Sequence, residues 1–307
     1  MATRLVEATG LGTFTSLLPQ WERSLRAANK SPRTVQSYLE SAGQLQVFLA
    51  ESFGVTEVAL VSREHLETWM VELLARWKPS TASVRYRSVQ QLFRWLQEEG
   101  EVSTSPMAKM RPPAVPEVPV PVVSDDDLRR LLKACDGKTY EDRRDTAIIR
   151  VFCEPGGCRL SELAGLRLDD VDTEQSSIMV LGKGRRPRIV PYGFKTAQAI
   201  DRYLRLRARH PRAALQGFWL TSKGAMSPGG IQQMLKRRCL QAGIDKVHPH
   251  QLRHTAAHVW MANGGNETDA KRLFGWRSQQ MVARYGASAA DGRARDAHRR
   301  LALGDRL

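Results

Sequence analysis

Hydrophobic residues recur at helical spacing through the first hundred residues of the chain. This pattern predicts four helices, over about 13–28, 31–52, 63–76 and 80–98. In the first of them Phe14, Leu17 and Trp21 fall on one face. The second begins at Ser31-Pro32, a capping residue followed by a proline at the first helical position. We therefore expect a small, all-helical domain at this end of the chain.

A proline-rich segment follows the four helices. Six prolines fall between residues 106 and 121. Proline at this density cannot continue a helix, because its ring fixes the backbone and removes an N–H donor, and it favours extended, semi-rigid chain. We predict an interdomain linker over 106–123, with a first domain over 1–105 and a second over 124–307.

The second half of the chain mixes helical and strand patterns. Helices are predicted over 125–135, 141–153, 194–209, 227–241, 250–263, 267–274 and 278–284, with a last one near 293–302. Alternating residues predict a hairpin of two strands, 177–181 and 188–191, joined by a turn at Gly182-Lys183-Gly184. The expected fold class is mainly α with a small β-sheet: a helical domain followed by a mixed α+β domain.

The composition is that of an ordinary globular protein. Hydrophobic residues make up 42% of the chain, and no apolar run approaches the roughly 18 residues that a membrane span needs. The first residues show no continuous hydrophobic stretch typical of a secretion signal. Four cysteines lack any Cys-x-x-Cys pair, so we expect free, mostly buried thiols in a reducing compartment. These features predict a cytoplasmic protein with no membrane partner.

Positive charge is concentrated in the second domain. The net charge is +15, and residues 1–112 carry 13 Lys/Arg against 11 Asp/Glu, a balance of +2. Residues 113–307 carry 34 against 21, a balance of +13. A field of this sign attracts polyanions, and nucleic acid is the commonest large polyanion in a cell. Charge alone favours nucleic acid only modestly over a basic protein without such a partner.

Several nucleic-acid chemistries lack their residues in this sequence. Two-metal enzymes need clustered carboxylates that hold the metal ions. Here the acids are scattered, and we interpret Asp169, Asp170 and Asp172 as turn residues of one polar loop. His254 and His258 are spaced for a metal pair, but no third ligand accompanies them, so a structural role is favoured. The glycine-rich loop of ATP-driven enzymes is absent as well. We therefore expect chemistry that needs neither metal nor nucleotide cofactor.

A metal-free phosphoryl transfer needs a nucleophile, cations for the non-bridging oxygens and an acid for the leaving oxygen. Arginine suits the second role because its planar fork binds phosphate with two hydrogen bonds and keeps its charge. The chain offers such residues in the order Arg159 (in Gly-Cys-Arg-Leu-Ser-Glu-Leu), Lys183, His250 and Arg253 (in His-Gln-Leu-Arg-His), Trp276 and Tyr285. Glu162 lies three residues after Arg159, on the same helical face.

This ordered series resembles the tyrosine recombinase (phage integrase) family, and the resemblance covers most of the chain. It implies that the first domain is a core-binding domain and the second the catalytic domain. It also implies that Tyr285 attacks the scissile phosphate to give a 3′-phosphotyrosine, while Arg159 and Arg253 hold the non-bridging oxygens. His250 and Trp276 would complete the pocket, Lys183 would be the general acid, and Glu162 would brace the basic groups.

Other basic residues are candidates for contacts with duplex DNA. In the first domain these are Arg33, Lys78, Arg85, Arg87 and Arg94. For any single one of them, a place on an ordinary solvent-exposed helix surface without DNA contact is an equally good interpretation. In the hairpin Arg185, Arg186 and Arg188 crowd around Lys183. Lys183 could therefore be a simple turn lysine, and Arg159 with Glu162 could be an exposed ion pair of little energetic value.

The sequence departs from the usual family pattern at three places. Trp276 stands where most relatives have histidine, and an indole N–H can donate a hydrogen bond but cannot shuttle a proton. Glu154-Pro155 precedes the first arginine motif in place of a small polar residue, with no physical reason evident from the sequence. Tyr285 is followed by glycine, without the familiar polar residue and histidine. Tyr192 and Tyr203 are rival nucleophiles by residue type, but neither has the spacing.

The resemblance also predicts partners. We expect two domains that clamp duplex DNA as a C, and a homotetramer acting on two paired sites, with accessory DNA-bending proteins as possible helpers and a nucleoid-associated location. The basic tail, 287–307, would dock on a neighbouring subunit, with self-packing or disorder as the alternatives. Two rival functions share the fold or chemistry: a type IB topoisomerase, and a DNA-binding protein that has lost catalysis.

Overall fold

The structure is a computed structural model that describes residues 12–116, 121–182, 186–276 and 278–306. The chain divides into two compact units, Met1–Glu117 and Val118–Leu307. Within the described residues no helix is long and apolar enough to cross a membrane.

The first unit is built from four helices: α1 (Phe14–Ala27), α2 (Pro32–Phe53), α3 (Arg63–Arg76) and α4 (Pro79–Glu98). Their ends follow from local chemistry. The Ser31 side chain accepts a hydrogen bond from the Thr34 amide at the start of α2, and Gly54 ends this helix with φ +65°, a left-handed conformation that glycine adopts without strain. All four bounds agree with the sequence pattern to within two residues.

The core of the first unit consists of the helical stripes read from the sequence. Phe14, Leu17 and Trp21 are buried in one hydrophobic cluster together with residues of the other three helices. Met107, which lies within the proline-rich segment, also belongs to this core, with Met110 packed against it. The start of the predicted linker is therefore part of the first unit.

The second unit is mostly helical. Its helices are α5 (Asp125–Lys133), α6 (Tyr140–Cys153), α7 (Leu160–Ala164), α8 (Phe194–Arg207), α9 (Pro228–Ala242), α10 (Pro249–Ala262), α11 (Glu267–Phe274) and α12 (Gln279–Leu301). Val123, at the end of the proline-rich segment, is buried in the core of this unit, and its amide donates a 2.9 Å hydrogen bond to Thr255 Oγ1.

Two small antiparallel sheets complete the second unit. Strands β1 (Val171–Asp172), β2 (Ser177–Leu181) and β3 (Pro187–Pro191) pair in that order, and β4 (Leu220–Thr221) pairs with β5 (Gly224–Ala225). The β2–β3 register places Val180 opposite Arg188 and Ile178 opposite Val190. Ile178, Val180 and Val190 are buried, so this face of the hairpin points into the core. The predicted fold class, mainly α with a small β-sheet, is confirmed.

The end of the chain differs from its predicted form. The pattern predicted two helices, over 278–284 and near 293–302, but a single helix, α12, runs from Gln279 to Leu301. The segment between them, 285–292, contains no proline and has three alanines, which favour helix. Gly286 and Gly292 each cost about 1 kcal/mol in a helix interior, which is too little to break it. Tyr285 thus lies inside a long helix.

A buried ionic network holds α6 to α9. The Asp145 carboxylate is fully buried and pairs with Arg144 at 2.8 Å, Arg238 at 2.8 Å and Arg237 at 3.1 Å. A buried carboxylate is tolerated only when it is paired and hydrogen-bonded, as it is here. The network fixes α6, whose C-terminal end leads directly into the first arginine motif.

Candidate active site

The first arginine motif begins at a turn where α6 ends. Glu154 caps the end of α6, and its Oε1 accepts hydrogen bonds from the Gly193 amide at 3.2 Å and from the Thr196 hydroxyl. Gly193 is the N-cap of α8, where unpaired amides and the helix dipole favour a carboxylate. Glu154, unexplained by the sequence, therefore ties the start of α8 to the turn that carries the motif.

Positions 156 and 157 of this turn leave no room for a side chain, so both residues must be glycine. Gly156 has φ +91°, and a Cβ there would lie 3.1 Å from the Leu273 carbonyl oxygen. A Cβ on Gly157 would lie 2.9 Å from the Phe152 carbonyl oxygen. Both close neighbours are backbone atoms, so they cannot move aside cheaply. The turn thus packs directly against the C-terminal end of α11.

Arg159 and Glu162 form a reciprocal pair around the start of α7. Arg159 is the N-cap of this helix, and its amide donates to Glu162 Oε2 at 2.7 Å. Its Nη1 donates to Glu162 Oε1 at 2.6 Å, and its Nη2 reaches the Gly275 carbonyl at 3.4 Å. The Arg159 side chain is 36% exposed, whereas that of Glu162 is only 4% exposed. The carboxylate therefore orients a guanidinium that still faces solvent.

Arg188 is the residue whose place differs most from its expected role. It was expected among the DNA contacts of the hairpin, but its side chain is only 9% exposed. Its Nη2 donates to Glu162 Oε2 at 2.7 Å, and its Nη1 donates to the carbonyls of Leu273 at 2.5 Å and Gly156 at 2.8 Å. Arg188 thus joins the glycine turn, the Glu162 carboxylate and the end of α11 to one another.

Arg253 reaches the same two backbone segments from α10. Its side chain is buried, and its Nη1 and Nη2 donate to the carbonyls of Gly157 and Phe274 respectively. Its guanidinium also lies 5.3 Å from the centre of the Phe274 ring, a cation–π contact. The second arginine motif is therefore brought to the first, although 94 positions separate Arg159 from Arg253.

The other predicted residues of the second motif lie on α10 and just after α11. His250 is exposed, one turn before Arg253 on α10, and His254 is buried one turn after His250. Trp276 is 6% exposed and stacks on Phe274, with ring centres 4.8 Å apart and planes at 16°. Gly275, with φ +61°, ends α11 and turns the chain so that Trp276 can make this contact.

Tyr285 lies in α12, which packs against α10 and α11; its side chain is outside the described part of the structure. Lys183 and Arg185 are outside the described residues altogether, so their predicted roles remain predictions. Arg186, at the edge of the hairpin turn, is exposed.

The two rival tyrosines are occupied by structural hydrogen bonds. The Tyr203 hydroxyl is buried, donates to the Phe218 carbonyl at 2.8 Å and accepts from the Leu220 amide at 3.0 Å. The Tyr192 hydroxyl donates to the Asp172 carbonyl at 3.1 Å. Burial raises the pKa of both groups, which disfavours the phenolate. Burial also raises the pKa of the Cys158 thiol, next to Arg159, to about 12, so it is protonated at neutral pH.

The DNA-contact candidates of the first unit are mostly on its surface. Arg33, Lys78 and Arg87 are exposed. Arg85 is half-buried and lies over the Trp77 ring, 5.5 Å from its centre. Arg94 pairs with Glu98 one turn along α4. In the part of the chain that the structure describes, no group of three or more His, Cys, Asp or Glu side chains could hold a metal ion.

Glu162 gives the site a predictable response to acid. Burial raises its pKa, but the Arg159 amide and the Arg188 and Arg159 guanidinium groups lower it more, so the net pKa lies below its usual range. A lowered folded-state pKa contributes stability that is complete above the unfolded pKa, about 4.3, and is lost as the pH falls through the folded value.

We therefore expect Glu162→Gln to lower the free energy of unfolding by about 1.5–3 kcal/mol at pH 7, the size of a hydrogen bond to a charged group. The difference from the unsubstituted protein should shrink as the pH falls below about 4. Urea unfolding at pH 7, 5, 4 and 3 measures this, with Glu174→Gln, an exposed loop substitution, as the control. A difference that stays constant with pH would contradict the assignment of a charged Glu162.

Comparison with known proteins agrees with this geometry. The model of the phage integrase family matches residues 121–291, and that of the phage integrase N-terminal SAM-like domain matches residues 17–100. Tyrosine recombinase XerC from Chlorobaculum parvum is 32% identical over 271 residues, which cover 78% of this chain and 80% of that protein.

Two solved structures show the same fold at low sequence identity. The Tn1549 transposon integrase in complex with transposon right end DNA has a TM-score of 0.74 and 19% identity, over 95% of this chain and 100% of that one. A lambda integrase tetramer bound to a Holliday junction has a TM-score of 0.70 and 15% identity, over 90% and 78%. The family match, which spans more than half of the sequence, shows that this chain belongs to the phage integrase family of tyrosine recombinases.

Proposed function

We propose that Tyr285 of this site-specific DNA recombinase attacks the scissile phosphate of duplex DNA. Its hydroxyl oxygen forms a bond to phosphorus and the bond to the 5′-oxygen breaks, which leaves a 3′-phosphotyrosine and a free 5′-hydroxyl. Because the covalent bond keeps the energy of the phosphodiester, attack by a 5′-hydroxyl reverses the step and rejoins the strand without ATP. The enzyme is of the tyrosine type, and duplex DNA is its substrate.

The convergence of Arg159 and Arg253 is the observation that carries this proposal. The Phe274–Gly275 segment accepts hydrogen bonds from both guanidinium groups, and Arg253 also donates to the Gly157 carbonyl in the turn that leads into Arg159. Arg159 keeps more than a third of its side chain exposed and retains N–H donors that no described residue occupies. We assign both arginines to the non-bridging oxygens of the scissile phosphate, where fixed donors stabilise developing charge.

The remaining roles follow the order of the motifs. We assign Lys183 as the general acid for the 5′-oxygen, and His250 and Trp276 as the residues that complete the phosphate pocket. Glu162 is a positioning residue, because both of its carboxylate oxygens are held by Arg159 and Arg188.

We further propose that the active form is a homotetramer on two paired sites, bound through exposed cations of both units such as Arg33, Lys78 and Arg186. The tetrameric lambda integrase bound to a Holliday junction, which shares the fold, supports this stoichiometry. The tail, 287–307, would dock on a neighbouring protomer. Accessory DNA-bending proteins and a location at the nucleoid belong to the same proposal.

The proposal is tested by covalent trapping. Nicked duplexes drawn from DNA that flanks the gene would be incubated with the protein in EDTA and without nucleotide, so that the released fragment diffuses away after cleavage. We expect a protein–DNA band that survives denaturation. Tight native binding to the same duplexes without any covalent band would contradict the proposal and favour a DNA-binding protein that has lost catalysis.

A further inference from the structure

A cleft between α5, α6 and α8 of the second unit is lined by five cations. It has a volume of about 330 Å³ and is bordered by Lys133, Arg143, Arg150, Lys195 and Arg202, with Asp136 as its single acid. The lining includes none of the residues assigned to the active site. We call it the basic cleft.

Four of the five cations of the basic cleft stand in two matched rows, and Lys133 of α5 is the fifth. On α6, Arg143, Thr146 and Arg150 follow one another at helical spacing, and on α8 Lys195, Gln198 and Arg202 repeat the same spacing. Residues three and seven positions apart share one face of a helix, and seven residues span about 10.5 Å. Each row therefore presents a cation, a polar side chain and a second cation along one line.

Among the described residues none of these five cations forms an ion pair with a carboxylate, although Asp136 also lines the cleft. Elsewhere the same chain pairs its surface arginines one helical turn away: Arg26 with Glu22, Arg63 with Glu67, Arg76 with Glu72, and Arg205 with Asp201. Clustered like charges repel one another, so a cleft of this composition attracts an anionic ligand.

We infer that the basic cleft binds the phosphate backbone of a second stretch of DNA, apart from the segment at the active site. Cations spread over two helices and two helical turns match a ligand that carries several phosphates along a line, as duplex DNA does. Neutralising them releases condensed counterions, which makes such binding strongly dependent on salt. The inference rests on the proposed function in taking DNA as the polyanion, because DNA is the substrate of this enzyme.

The test measures whether protein already linked to one duplex captures another. The covalent complex on a nicked duplex would be purified and titrated with a fluorescent duplex of unrelated sequence, at several salt concentrations. We expect the unsubstituted protein to capture the second duplex. The variant Arg143→Gln/Arg202→Gln should bind it at least tenfold more weakly, with a salt slope smaller by about 2, the loss expected for two phosphate contacts.

Arg205→Gln is the matched control. Arg205 is an exposed arginine on α8, three residues from Arg202, but it pairs with Asp201 and does not line the cleft. It should leave capture unchanged. Capture by the double variant as strong as that by the unsubstituted protein, or no capture by the latter, would overturn the inference. Failure to form the covalent complex would instead contradict the proposed function, and the salt slopes of native binding to unrelated duplex would then compare the two variants.

Discussion

Tyr285→Phe should abolish the covalent protein–DNA complex while leaving native DNA binding within about twofold. The substitution removes one oxygen and keeps the ring, so α12 should pack as before. Without the hydroxyl no phosphotyrosine can form, and the loss should reach the detection limit, because an absent nucleophile is not replaced by better positioning. Denaturing gels of nicked-duplex reactions and native gels of the same samples measure the two properties side by side.

Tyr192→Phe is the control for this experiment. Its hydroxyl donates to the Asp172 carbonyl in the three-stranded sheet, so its loss should cost about 1 kcal/mol of stability and leave the covalent band intact. A band that survives in Tyr285→Phe and disappears in Tyr192→Phe would move the nucleophile. Tyr203 is a poorer control, because its hydroxyl both donates and accepts in the core.

The helices were largely predictable because their signals are local. Stripes of apolar residues and caps such as Ser31 depend on neighbours within a few positions, and the predicted bounds hold to within two residues except at the end of the chain. There the pattern predicted two helices, over 278–284 and near 293–302. The alanine-rich sequence sustains one long helix instead, because two single glycines cost little over 23 residues.

The motifs placed Arg159, Glu162 and Arg253, but not the contacts that hold them. Arg253 donates to the carbonyls of Gly157 and Phe274. Because every residue has a backbone carbonyl, the sequence does not indicate which of them accept such hydrogen bonds. The function of Glu154 was hidden for a similar reason, because it caps a helix that begins some forty residues later. Such long-range contacts to backbone follow from the fold and not from local pattern.

Arg188 could have been recognised from the period of the strand. Val190 follows two positions later and is buried, and successive side chains of a strand alternate between its faces. Arg188 must therefore share the buried face of the hairpin, where a charge needs a partner. Because Arg185 and Arg186 lie close by in sequence, Arg188 was instead predicted to contact DNA together with them.

Among substitutions of the basic residues of the hairpin, Arg188→Ala should consequently lower the free energy of unfolding the most. It removes hydrogen bonds to the Gly156 and Leu273 carbonyls and leaves the buried Glu162 with one guanidinium instead of two. Breaking a buried ion pair in this way costs about 3–5 kcal/mol. Arg188→Lys should recover only part of this loss, because an ammonium group lacks the planar fork that reaches two carbonyls and a carboxylate together.

The effect on cleavage should exceed the effect on folding at temperatures where the variant is still native. Released from Arg188, Glu162 and the glycine turn no longer fix Arg159, and a misplacement of about 1 Å can slow a reaction about 100-fold. The rate of covalent complex formation by Arg188→Lys, against urea unfolding of the same protein, separates the two effects. Arg205→Lys, at an exposed arginine of α8 that pairs with Asp201, should change neither by more than about twofold. Two outcomes would show that Arg188 serves stability alone. Either Arg188→Lys cleaves at the rate of the unsubstituted protein, or its rate falls only in proportion to the fraction of protein that is unfolded. A fall in rate without unfolding identifies Arg188 as a residue that positions the first catalytic arginine, because its guanidinium contacts the turn, the carboxylate and the end of α11 together.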